Sequence, residues 1–413
     1  MSAQKLSRSF AFLYVLAMFG AFITFVPLAA LILPQKIATV DDIAPAGAVR
    51  ALSWLLVGGG IMAGIGNIIA GHFSDQIFKR TGSRRGLIRI GLFGIIATLA
   101  AFGAAKSFAG LMLAMVAFQL ALNALLSPLV ALLVDYVPDT KKGRMAGWLG
   151  LALPVGSLAV SVLVALPAIG TAWQLTLIIL VATGLISPLL HYWPAPSEPD
   201  DPASTLATAD PKVAPPGSLK RDFALAWTSR LLVQFAAATI LPYLYYYVAD
   251  VANPGANPTD VATGVGVLSL TFTGASVGGG LILGWVSDRL KKRGVVLVSS
   301  AGMVSVSMLM LAMITSWPAI IAAYALFAAG LAGFLAVDSA LVAQLLSTSS
   351  RRATLLGLMN LTNTLPGVLA PATTLFILGG GGGGAARIVI VLKLAAVSAL
   401  LAAICGSQIR AGR

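Results

Sequence analysis

The chain has 413 residues, 58% hydrophobic and 10% charged, with a mean hydropathy of +0.93 and a net charge of +13. Soluble domains run about 45–50% apolar and about 25% charged, so a soluble enzyme or a soluble nucleic-acid-binding domain is excluded. The single cysteine, Cys405, rules out an intramolecular disulfide, and His72 and His191 sit on different apolar segments without an acidic or thiol cluster, so no metal site is expected.

In chain order, the apolar runs predict twelve spans: 10–34, 51–73, 88–105, 109–134, 146–168, 172–193, 223–249, 262–286, 295–316, 318–346, 354–378 and 387–407. A bilayer-crossing helix needs roughly 20 such residues, and neither Phe10 to Leu33 nor Ala109 to Val134 contains a charge. The runs are too long for barrel strands and do not alternate. The first run follows Lys5 and Arg8 like a signal peptide, but it exceeds the about 7–15 apolar residues of such a segment and reads as the first span. The expected fold class is an all-α membrane protein with twelve transmembrane helices.

Residues 194–222 interrupt the pattern with seven prolines and five acids, the composition of a disordered linker. They separate a six-span half, 1–193, from a second six-span half, 223–413. With the N-terminus inside and the spans alternating, 21 of the 27 Lys and Arg fall on the cytoplasmic side. This is the positive-inside pattern. It predicts two cytoplasmic termini and a cytoplasmic linker, and it accounts for the basic charge without a nucleic-acid partner.

The densest charge lies in GHFSDQIFKRTGSRRG at 71–86. GWVSDRLKKR at 284 echoes its start 213 positions later, and Gly66 and Gly279 keep the same offset. An internal repeat of six spans is a transporter signature, with the substrate site expected near mid-membrane between the halves.

The stretch SDQIFKRTGSRRG resembles the loop motif between spans 2 and 3 of the major facilitator superfamily, in the longer form of its sucrose–proton symporter-like and glycoside–pentoside–hexuronide branch. TSRLLVQF…YLYYYVAD (228–250), FLAVDSALVAQLL (334–346) and GLMNLTNTLPGVLAPA (357–372) resemble that branch's spans 7, 10 and 11. Gln76, Ser83 and Gly86 replace an Arg, an Arg and a Pro of the motif. Span 2 lacks the acids that bind sodium in melibiose-type members, which argues against sodium coupling. The resemblance implies two pseudo-symmetric halves in a prokaryotic inner membrane, a monomer that works by alternating access, and a central cavity lined by spans 1, 4, 7 and 10.

A cytoplasmic gate is expected from Asp75 and Asp288, at matching places in the two halves, with Arg80, Arg84, Arg85 and Arg289 in reach. Arginine binds carboxylates in a geometrically particular, bidentate manner. Positive-inside bias explains the arginines but not the paired acids. Asp135, with Arg144 following, either joins this latch or is a solvated loop charge.

Ionisable groups inside spans are costly and mark function by default. Arg230 and Asp338 lie at similar depth, roughly 10–12 Å inside by the helical rise, and are the coupling candidates. They are read as a pair or as two groups lining a water-filled cavity. A pair would either couple protonation of Asp338 to conformational change or serve as a static bridge, and the third reading is that the two do not touch. Polar faces add Gln119, Asn123 and Ser127 in span 4, Ser269, Thr273 and Ser276 in span 8, Gln234 beside Arg230 in span 7, and Asn360, Asn363 and Thr364 in span 11. Amides and hydroxyls suit a hydroxyl-rich solute, and they also serve as interhelical hydrogen bonds. Pro242, Pro366 and Pro371 are expected to kink their helices. Tyr243, Tyr245, Tyr246 and Tyr247 read as an aromatic belt or an outer gate.

GGGGGG at 379–384 has no following strand-to-helix turn or Lys-Ser/Thr, so it reads as a flexible connector and not a phosphate cradle. GGG at 58–60 and 278–280 lies within spans, where small residues permit close packing. With no cofactor or catalytic constellation, the expectation is a secondary transporter, a proton-coupled symporter of a small sugar or glycoside. The alternatives are an exporter of amphipathic molecules and a non-transporting receptor or assembly protein on the same fold.

Overall fold

The computed structural model describes residues 7–44, 47–166, 170–193, 218–290, 292–345, 352–378 and 384–409. Among these residues there are helices and no strand, and eleven helices are long and apolar enough to cross a membrane. The linker segment 194–217 and most of the hexaglycine run lie outside the described residues.

In the first half, α1 (Arg8–Pro27) starts at Ser7, whose side chain accepts from Phe10 N. Pro34 cannot donate back to the preceding turn. The helix widens there into a π-helical stretch, Leu28–Ile32, where Leu33 N reaches Leu28 O, and then continues as α2 (Leu33–Ile37). Next comes α3 (Ala48–Thr81), whose 34 residues run well past the expected span 51–73. The charged motif therefore begins on the helix itself, and the helix stops at Gly82. Its φ of +65° is a left-handed helix-ending conformation that glycine adopts without a Cβ penalty.

The helices α4 (Arg85–Ala104) and α5 (Phe108–Asp135) pack together. Two charges, one in the last turn of α2 and one in the stretch after it, tie their turn. Lys36 Nζ donates to Gly103 O at 2.8 Å, near the C-terminus of α4, and the Asp42 carboxylate accepts from Phe108 N at 3.0 Å, at the N-terminus of α5. Each sign suits the helix end it meets. The fifth span is broken into α6 (Asp139–Gly150) and α7 (Ala152–Ala165) ahead of Pro154, and α8 (Thr171–His191) follows. The first helix packs on α7 and α8.

In the second half, α9 spans Ser218–Ile240. The linker was expected to extend to 222, but Ser218–Asp222 are helical. Phe223 at this end is buried against Val342 and Met359, with Trp227 and Leu355 beside it, and that apolar cluster anchors the first turns. The chain breaks at Pro242, and α10 (Leu244–Tyr247) runs into a π-helical turn at Val248–Ala252. Then come α11 (Pro258–Leu290), α12 (Arg293–Met313) and α13 (Trp317–Leu345). The eleventh span is two helices, α14 (Arg352–Thr364) and α15 (Pro366–Leu378), divided where Pro366 lacks its N–H. The last helix is α16 (Ala385–Ser407).

Two compact units emerge. One holds Met1–Pro45 and Gly58–Thr208, the other Ala46–Val57 and Ala209–Arg413. The start of α3 thus groups with the second unit. There Ser53 Oγ donates to Val49 O and lies 2.7 Å from Tyr243 Oη. With its one proton committed, the serine accepts from the tyrosine. Tyr243, Tyr246 and Tyr247 are buried, and Tyr247 Oη donates to Leu311 O. An aromatic belt faces the membrane interface, so for these three the belt reading is corrected: their rings fill the interior where the helix breaks.

Glycines set the closest packing. A Cβ on Gly279 in α11 would lie 2.5 Å from Ala329 Cα in α13, and one on Gly59 would lie 2.6 Å from Met115 Cε. Gly279→Ala is therefore expected to destabilise the protein by about 1–3 kcal/mol, since backbone cannot yield to a methyl group. Gly274→Ala on the same helix meets nothing within 4 Å, so it should be neutral or slightly stabilising. Thermal unfolding of the two variants in detergent checks the contrast, and equal melting points would refute the close contact.

Candidate functional site

Two polar clusters stand out, one in each unit. In the second unit α9, α13 and α14 bring the expected coupling pair together. Arg230 Nη1 donates to Asp338 Oδ2 at 3.0 Å, 108 positions away in sequence. The Asp338 side chain is 0% exposed and that of Arg230 16%. An isolated buried carboxylate is very costly, and the guanidinium, permanently charged, supplies its counter-ion. The compensation is incomplete. Asp338 Oδ1 and Arg230 Nε are both buried without a hydrogen-bond partner among the described residues.

The amides extend the cluster. Arg230 Nη2 donates to Asn363 Oδ1 at 3.1 Å, and Gln234 Nε2, one turn on from Arg230, donates to the same oxygen at 3.3 Å. Asn363 Nδ2 donates to Asn360 Oδ1 at 3.0 Å. Helical spacing makes this possible: 230 and 234 share a face of α9, and 360 and 363 share a face of α14. Asn360 and Asn363 are exposed, so the guanidinium is reached from their side. The cluster can hold a charged group, present amides to hydroxyls, and trade the Arg230–Asp338 contact for another.

Thr364 does not join; its hydroxyl donates to Leu361 O of its own helix. Thr273 and Ser276 likewise bond carbonyls of α11. Gln119 and Asn123 lie in the other unit, buried against α3, where Gly59 and Gly66 approach their side-chain amides, and Asn123 Nδ2 donates to Gln119 O.

The second cluster lies at the ends of α3 and α5 around one arginine. Arg84 Nη1 donates to Ser74 Oγ at 2.6 Å and to Asp75 Oδ1 at 2.9 Å, and Arg84 Nε donates to Asp135 Oδ2 at 2.6 Å. Its guanidinium sits 4.7 Å over the Phe78 ring. Burial works against the charged guanidinium, but the hydrogen bonds and attraction of Asp135, then Asp75, outweigh it and raise the Arg84 pKa. Asp135 is thus part of the cluster rather than a free loop charge. Arg85 turns elsewhere, onto the Trp193 ring at 5.2 Å and toward Trp193 O, while Trp193 Nε1 donates to Tyr136 Oη at 2.9 Å. Arg80 and Arg144 are exposed.

The second unit does not repeat this arrangement among its described residues. Asp288 is exposed, Arg289 lies over the Trp285 ring, and Arg293 Nη1 donates to Ala340 O. The reason is local: Lys292 precedes α12 at the place where Arg84 precedes α4. Sequence reasoning missed Ser74, Phe78, Tyr136 and Trp193. Ser74 had a signal in the repeated G-x-x-S-D, since Ser287 is its counterpart and both are buried.

The family model of the Major Facilitator Superfamily matches residues 10–371. A search of curated proteins found no match. Among solved structures, a bacterial homologue of the human lysosomal transporter Spinster, in an inward-facing and occupied conformation, is similar at 15% identity and TM-score 0.67, covering 98% of this chain and 97% of that one. An auto-inhibited POT family peptide transporter is similar at 15% identity and TM-score 0.69, covering 98% and 96%. At that identity the likeness concerns the fold.

Proposed function

The chain belongs to the Major Facilitator Superfamily, and from that premise we propose that it is a secondary active transporter of the proton-coupled symporter type. In this reading Asp338 carries the proton, Arg230 senses it, and the site takes a small hydroxyl-rich solute of the sugar or glycoside class. The observation that carries it is the ion pair between Asp338, fully buried, and Arg230, hydrogen-bonded onward to Asn363. Proton gain on Asp338 removes its attraction for the guanidinium and frees Arg230 to move or to bind. That is a differential contact between two states, which a conformational change requires. The amides of Gln234, Asn360 and Asn363 support the solute class, and the motif around Ser74 and Asp75 supports the sucrose–proton symporter-like branch. The Arg84 cluster serves as the gate, on the cytoplasmic side by the charge pattern.

The test is accumulation of sucrose, maltose and gluconate in proteoliposomes under an imposed inward proton gradient. At least one solute is expected to accumulate, and Asp338→Asn should abolish accumulation while retaining exchange of solute across the membrane. Accumulation that persists after the gradient is collapsed, or in the variant, would remove the coupling role.

A further inference from the structure

The Arg230–Asp338 pair constrains the charge of the solute. As it stands the site is neutral, with Arg230 Nη1 on Asp338 Oδ2 and Nη2 on the uncharged Asn363. Arginine does not give up its proton in a protein. If Asp338 takes a proton during the cycle, the cluster carries one uncompensated positive charge inside a membrane span. Leaving one member of a buried ion pair without its partner is strongly unfavourable, and a neutral polyol offers only dipoles in return. A carboxylate restores neutrality and fits the planar fork of the guanidinium in bidentate fashion. The structure leaves the means for such an exchange: Asp338 Oδ1 and Arg230 Nε are buried and unpartnered among the described residues, and Arg230 stays partly open beside the exposed Asn360 and Asn363.

We propose that the solute is a small monoanion bearing a carboxylate, which replaces Asp338 as the counter-ion of Arg230 and moves together with one proton held on the Asp338 carboxyl. The proposal rests on the coupling role of Asp338 given above. The amides of Gln234 and Asn360 then meet hydroxyls on the same molecule. The balance is one proton onto Asp338, one carboxylate onto Arg230, and no net charge moved. A neutral sugar carried with a proton would instead move one positive charge.

Among the described residues, few other charges bear on Asp338. Arg230 faces it from α9, which also carries Lys220, Arg221 and Asp222 two turns or more earlier. From α12, Arg293 binds the Ala340 carbonyl. On α11, Asp288 and Arg289 lie at the helix end, and α14 presents the neutral Asn360 and Asn363. Anion binding favours protonated Asp338. Apparent affinity should therefore rise as pH falls and drop about tenfold per pH unit above the titration of the group.

The experiment is thermal unfolding of the detergent-purified full chain with acetate, lactate or gluconate, each against its neutral counterpart acetamide, lactamide or sorbitol, at constant ionic strength. It is run at about pH 5.5 and about pH 8, far enough apart for the proton linkage to show. At least one carboxylate is expected to stabilise wild type at the lower pH beyond its neutral counterpart, with affinity lost at the higher pH. Asp338→Asn should bind it equally at both, and Arg230→Gln at neither. If Asp338→Asn does not fold, the wild-type pH series decides the anion claim alone. No carboxylate exceeding its neutral counterpart in any protein overturns the proposal, and proton-driven sucrose accumulation would then leave the transporter reading standing. A carboxylate effect whose pH dependence survives in Asp338→Asn moves the proton to another group, Asp222 foremost, and overturns both.

Discussion

Arg230→Gln is expected to destabilise the protein by about 3–5 kcal/mol, because it strands the Asp338 carboxylate in the interior without a counter-charge. The variant should recover on acidification, since protonation neutralises the stranded group. Here the sign follows from burial: the folded state without Arg230 favours the neutral acid, so lower pH favours folding. The double variant Arg230→Gln with Asp338→Asn should regain most of the loss, because two neutral amides replace the pair. Chemical or thermal unfolding of the three proteins checks this. A single variant no weaker than an average surface substitution, or a double variant no better than the single, would show that the pair is not the buried unit described.

The second large effect is at Arg84. This side chain is 6% exposed and serves two carboxylates, one hydroxyl and one aromatic ring. Arg84→Ala should cost about 2–4 kcal/mol, since charged-group hydrogen bonds are worth roughly 1.5–3 kcal/mol each and their loss leaves partly buried acceptors unmet. Arg84→Lys should rescue little, because one ammonium cannot reproduce the fork that reaches both Asp75 and Asp135. The two acids should differ. Asp135 is 16% exposed and Asp75 65%, so a double-mutant cycle should give about 1–3 kcal/mol of coupling with Asp135 and under about 1 kcal/mol with Asp75. If the gating role holds, Arg84→Ala will also alter solute exchange rates more than solute affinity. Equal coupling to both acids would mean that solvent screening does not govern this cluster.

Several features were written in single segments of the chain. The membrane class, the positions of the spans and the helix breaks at Pro242 and Pro366 follow from runs of apolar side chains and from missing N–H groups. The two members of the intramembrane pair were legible for the same reason: a charge within an apolar run needs a partner, and Asp338 is the acid at the depth of Arg230; that they touch came from the structure. Which of four arginines would hold Asp75 was not legible. Arg80, Arg84, Arg85 and Arg289 look alike in sequence, but Arg84 alone stands at the turn where α3, α4 and α5 meet, one residue past the serine that follows Gly82. Arg85, one step on, points to Trp193.

The polar faces divided in the same way. Helical periodicity put Gln119 with Asn123 and Asn360 with Asn363, yet it could not say what each face would meet. Gln119 and Asn123 back onto glycines of α3, while Asn363 meets Arg230 and Gln234. Partition between lipid and water acts on each segment separately, so the sequence by itself determined which segments enter the membrane and the breaks at Pro242 and Pro366. Pro371, expected to kink its helix, instead lies inside the continuous α15, and the break ahead of Pro154 was not foreseen. The pairing of side chains depends on which helix faces meet and in what register, and only the tertiary structure decided that.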